Sequence, residues 1–132
     1  MGFLYYGSTA RKDFIEKKDV VLPIGVDPKE AGKAIYLVDD EYFAIACGGR
    51  PDIGVTIVDH KHRTIRFSHP SVFYPRRAVY VYTVDPRFMG EGFVTQVDEH
   101  IFAVSEDVEA IVPIAINVWE ADDVKRRYKV IS

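Results

Sequence analysis

The sequence predicts an α+β fold with a small mixed or antiparallel β core and short N-terminal helices. Three observations carry this. Residues 78–85 read Ala-Val-Tyr-Val-Tyr-Thr-Val-Asp, a β-branched and aromatic run stopped by Asp85-Pro86. Two more apolar runs follow, residues 96–104 and 110–119, with the acids Glu106, Asp107 and Glu109 between them. The N-terminal part instead alternates strand and helix signals, so helices come early and strands dominate late.

In order, residues 2–7 (Gly-Phe-Leu-Tyr-Tyr-Gly) form the first expected strand. Ser8 or Thr9 is placed to cap a helix over residues 10–18, with Phe14 and Ile15 as its buried positions. Residues 20–23 are briefly extended, and residues 27–32 make a turn or one helical turn with Pro28 at its first position. Residues 34–38 are the second strand. A helix follows to Gly49, capped by Asp39 or Asp40, with Gly48 suited to a left-handed stop and Cys47 a small buried apolar side chain. Residues 53–58 and 63–67 flank Asp59-His60-Lys61-His62 as a hairpin, residues 68–77 are a loop, and residues 122–128 are a terminal helical turn or tail.

A chain of 132 residues fits one domain, residues 1–132, and its 48% hydrophobic content is ample for a packed core. No apolar run approaches the length of a membrane span. The first residues lack the basic and apolar regions of a signal peptide, and the single Cys47 excludes a disulfide framework, so the expectation is a cytoplasmic protein. The net charge of −3 is unevenly spread. Residues 60–77 carry Lys61, Arg63, Arg66, Arg76 and Arg77 and no acid, whereas residues 85–123 are strongly acidic. A continuous patch of those five cations, interleaved with Phe67, Phe73 and Tyr74, would grip phosphates or a nucleic acid. The acidic balance of the whole chain argues against nucleic acid as the principal partner. His60 and His62 alternate as metal ligands sometimes do, but only Asp59 stands near them as a third ligand, and no metal site is expected.

Several pieces taken together resemble the ADP-ribosyltransferase family, particularly small single-domain members such as rifampin ADP-ribosyltransferase. They are Leu4-Tyr5-Tyr6-Gly7-Ser8, Ala34-Ile35-Tyr36-Leu37-Val38-Asp39-Asp40, Tyr42-Phe43-Ala44, Val81-Tyr82-Thr83-Val84-Asp85-Pro86-Arg87-Phe88, and Asp98-Glu99-His100 leading on to Ile111-Val112-Pro113-Ile114. The resemblance implies NAD as substrate and an unknown acceptor for ADP-ribose. It implies Glu99 as the carboxylate that stabilises positive charge on the ribose as nicotinamide leaves, with Glu106 as the second choice. It places Tyr36 and Tyr42 beside the nicotinamide, Gly7 where a dinucleotide approaches the backbone, and Ser8 on the nicotinamide amide. Tyr6 stands where the family has a His that bonds the adenosine ribose, a departure at the dinucleotide contact. An active enzyme of this kind requires Tyr6, Tyr36 and Glu99 to line one cleft. The alternative is a catalytically degenerate relative that serves as a protein- or nucleotide-binding module.

Overall fold

A computed structural model describes residues 2–131. In chain order its strands are β1 (Leu4–Ser8), β2 (Ile15–Glu16), β3 (Tyr36–Val38), β4 (Thr56–Asp59), β5 (Thr64–Phe67), β6 (Ala78–Val84), β7 (Val94–Gln96), β8 (Ile101–Val104), β9 (Ala110–Ile111), β10 (Ala115–Glu120) and β11 (Lys129–Ile131). The one α-helix among the described residues, α1 (Glu41–Gly49), joins β3 to β4. The result is a small α+β protein with mostly antiparallel sheets. No helix is long and apolar enough to cross a membrane among the described residues.

The main sheet has the order β10-β6-β1-β3-β8-β7, and every neighbouring pair is antiparallel. Period-two alternation divides its side chains between two cores. Val79 and Val81 of β6, with Tyr36 and Val38 of β3, pack with Phe43, Ala44 and Ile45 of α1. Tyr82 and Val84, with Leu4 and Tyr6 of β1 and Leu37 of β3, join Ile15 and Ile111 in the second core. A smaller sheet, β11-β5-β4, packs into the α1 side through Ile65 and Phe67.

α1 begins where Asp40 caps it: the carboxylate accepts from the Tyr42 N–H at 2.8 Å and the Phe43 N–H at 3.0 Å. It lies so close to the sheet that glycines meet at the crossing. A Cβ on Gly7 would sit 1.9 Å from the Ala44 carbonyl oxygen, and one on Gly48 would sit 2.8 Å from both the Gly7 carbonyl carbon and the Ser8 nitrogen. Gly48 therefore belongs to the packed helix, whose last residue is Gly49, and is not a left-handed stop.

The expected helix over residues 10–18 does not form. Ile15–Glu16 pairs with β9, and Lys17–Asp19 makes only a 3-10 turn. The reason lies in Tyr82, whose hydroxyl donates to the Ala10 carbonyl at 2.7 Å and accepts from the Lys12 N–H at 2.8 Å. The backbone groups that would start the helix are satisfied elsewhere. Ile15 is buried as expected, but Phe14 is exposed. The apolar run over residues 96–104 forms a hairpin, β7 to β8, with Asp98 and Glu99 in its turn. The run over residues 110–119 is likewise split, into β9 and β10. The tail over residues 122–128 is mostly a 3-10 helix, Ala121–Arg126, and β11, which no sequence signal announces, follows it.

Candidate functional site

Four segments distant in sequence meet beside the N-terminus of α1: the segment at Ile24 and Gly25, strand β4 with its turn, the β7–β8 turn, and Asp39. Between the first three lies a cleft of about 360 Å³. Ile24, Val58 and Ile101 give it apolar walls, and Thr56, Asp98, Glu99, His60 and His100 are its polar lining. The volume is in the range of small-molecule sites.

The two histidines are placed by different devices. His60, at the exit of β4, packs edge-on against Phe43 of α1 with ring centroids 4.4 Å apart, and its Nδ1 is 3.2 Å from the Tyr128 hydroxyl. His100, at the entry to β8, holds Asp39 through Nδ1 at 3.1 and 3.2 Å. Its carbonyl also accepts from the Asp39 N–H at 3.2 Å, which fixes the two residues together. The imidazoles face one another with centroids 4.1 Å apart. Asp39 thus orients His100 as a carboxylate orients a general base.

Glu99 is exposed at the lip of the cleft, in a turn that its neighbours stiffen. Asp98 accepts from the Glu99 N–H at 2.6 Å, and Gln96 donates to the Glu99 carbonyl at 3.1 Å. With Asp98, Glu99 and Asp39 around two imidazoles, the mouth favours a cationic or cation-forming ligand.

Burial first, then the neighbouring His100, holds His60 below its usual value near 6.5, against the opposing pull of Asp39, Asp40 and Glu99. The unfolded chain then takes up a proton that the folded chain refuses. Stability is therefore full above about pH 6.5 and declines as pH falls from there toward the folded value. Urea unfolding between pH 7.5 and 5 is expected to show this loss, and His60→Phe, which keeps an aromatic ring against Phe43, is expected to flatten it.

The other residues singled out from sequence lie elsewhere. Tyr6 faces the second core, its ring 5.5 Å from Tyr82 and its hydroxyl accepting from the Val21 N–H at 2.9 Å. Burial raises its pKa. Gly7 turns its bare face to the Ala44 carbonyl. The Ser8 hydroxyl accepts from the Ala10 N–H at 3.1 Å and borders, with Tyr6, a separate hollow lined also by Lys12 and Asp19. Tyr36 is buried on the α1 side with its hydroxyl 3.5 Å from Glu30. Tyr42 packs against Trp119 and lies under the Arg127 guanidinium. Glu106 is exposed, and its carbonyl accepts from Lys17 at 2.7 Å. The structure brings none of Tyr6, Gly7, Ser8, Tyr36 and Tyr42 into the cleft with Glu99.

What sequence reading missed is the pairing of His60 with His100. In sequence His60 stands beside His62, but in the fold His62 instead binds Asp59 at 2.8 Å. Among the described residues, no group of three His, Cys, Asp or Glu side chains is arranged to hold a metal ion. Cys47 is fully buried and its thiol is pushed up to about 11, so it is no nucleophile.

No family model, curated protein or solved structure matches this chain.

Proposed function

We propose that the Glu99 cleft breaks an N-ribosyl bond of NAD or a smaller nicotinamide nucleoside, and that it does so without the Tyr6 and Tyr36 contacts that the ADP-ribosyltransferase resemblance implies. The observation that carries this reading is the convergence of Glu99, the Asp39–His100 pair and the His60 ring on one cleft of nicotinamide–ribose size. A pyridinium ring is cationic and flat, and suits an acidic mouth beside two adjoining imidazoles. As the bond to nicotinamide lengthens, positive charge grows on the ribose, and the Glu99 carboxylate lowers the energy of that state. His100, steadied by Asp39, accepts the proton of the attacking hydroxyl or water. The bond from C1′ to nitrogen breaks, the bond from C1′ to oxygen forms, and neutral nicotinamide leaves.

A second reading is a module that keeps the fold and binds a nucleotide without reacting. It is favoured by the placement of Tyr6 and Tyr36 outside the cleft. Release of nicotinamide from NAD and from nicotinamide riboside separates the two. The first reading predicts release. The second predicts a thermal shift without it.

A further inference from the structure

Across Tyr128 from the cleft lies a second, larger hollow. The parallel pairing of β11 with β5 sets Lys129 opposite Thr64, and the Lys129 N–H donates to the Arg63 carbonyl at 2.7 Å. That link lays the C-terminal run Lys125-Arg126-Arg127 and Lys129 along the turn that carries His62 and Arg63. Together they line an open groove of about 570 Å³ in which no lining residue is acidic. This is a different surface from the one the basic run over residues 60–77 implied, because Arg77 is clamped to Asp52 by two bonds of 2.9 Å.

We propose that this groove binds the phosphodiester backbone of a nucleic acid. The inference is independent of the chemistry assigned to the Glu99 cleft. Three arginines present their guanidinium groups over aromatic rings: Arg63 over Tyr128, Arg126 over Trp119 and Arg127 over Tyr42, at 5.9, 5.5 and 4.9 Å. Stacking holds a planar fork in place while leaving N–H edges for phosphate. The acids that pair with Lys125, Arg126 and Arg127 are Asp122, Asp123 and Asp40, and each is less exposed than its cation. They position the cations and leave them facing solvent. Among the described residues, Arg63 and Lys129 form no ion pair with an acid.

Arg63 adds a separate sign. It is the one non-glycine residue with positive φ among the described residues, at 55°. Glycine would relieve that conformation, so an arginine there carries a small backbone cost. The shape and chemistry favour a phosphate polymer. An anionic bilayer would call for apolar side chains to insert beside the cations, and the exposed large apolar residues lie outside this groove.

The test is fluorescence anisotropy with a labelled oligonucleotide of about 20 nucleotides, longer than a single binding footprint. It is titrated against the intact protein and Arg63→Gly/Lys129→Ala over a range of salt. Expected is binding that weakens steeply with salt. The variant should be about tenfold weaker near 0.1 M salt, with a log–log salt slope shallower by about 1.4, the effect of two lost phosphate contacts. Its thermal midpoint should not fall, because Arg63→Gly relieves strain. If that variant folds poorly, Lys125→Ala/Arg126→Ala, on an exposed 3-10 turn, is expected to weaken binding in the same direction. No binding, equal binding by both variants and the parent, or tighter binding to polyglutamate or phosphatidylserine vesicles overturns the proposal.

Discussion

Glu99→Gln is expected to lower nicotinamide release by two to three powers of ten, with the thermal midpoint unchanged. The first half follows from the charge. A carboxylate beside the ribose meets the positive charge that moves from the pyridinium onto the sugar as the bond breaks, and its amide isostere keeps the shape without the charge; losing one such group costs about 10²–10³ in rate. The second half follows from the turn. Glu99 is exposed, and what holds the turn is its backbone: its N–H to Asp98 and its carbonyl to Gln96. Steady-state assays beside a melting curve read both. Glu106→Gln is the matched control and is expected to leave release within about twofold, because Glu106 lies outside the cleft. Release undiminished in Glu99→Gln would remove the carboxylate from the mechanism.

Gly7→Ala is expected to be the most damaging single methyl in the protein. The new Cβ would fall 1.9 Å from the carbonyl oxygen of Ala44 and 2.7 Å from its carbon, and both are backbone atoms of α1. No rotamer change relieves a clash between a strand and a helix backbone, so α1 must lift from β1. Overpacking a tight interior costs about 1–3 kcal/mol where side chains can yield. Here they cannot, and roughly 3 kcal/mol or more is expected from a total stability of about 5–15 kcal/mol for a domain of this kind. The Asp40 cap and the Phe43 contact to His60 ride on the same helix, so the cleft should open as well. Urea unfolding followed by circular dichroism measures the loss. A variant as stable as the parent would mean that α1 does not lie on β1 as described.

Gly7 also shows how far the sequence could be read. A Tyr-Gly-Ser run at the end of a strand is consistent with a close approach of something to the backbone, and something does approach. It is the protein's own helix. Signals confined to neighbouring residues were legible: the Asp40 cap, the Pro28 turn, the Asp85-Pro86 stop of β6, and the hairpin of β4 with β5. Signals that depend on remote partners were not. Nothing within residues 10–18 records that Tyr82 will take the Ala10 carbonyl and the Lys12 N–H. The short β11 has no periodicity of its own, and its place is set by a parallel partner far back in the chain. The site divides the same way. Glu99 stands out through the family resemblance, as the acid ahead of an apolar run, but His60 and His100 become a pair only when β4 and β8 converge on α1.

The most direct measurement is an NMR titration of the protein with nicotinamide riboside, following histidine ring and isoleucine methyl signals. The account predicts saturable shifts at His60, His100, Ile24 and Ile101, which surround the cleft, with Tyr6, Tyr82 and Ile15 unmoved across the sheet. Shifts confined to the Tyr6 side, or none at all at millimolar ligand, would contradict it.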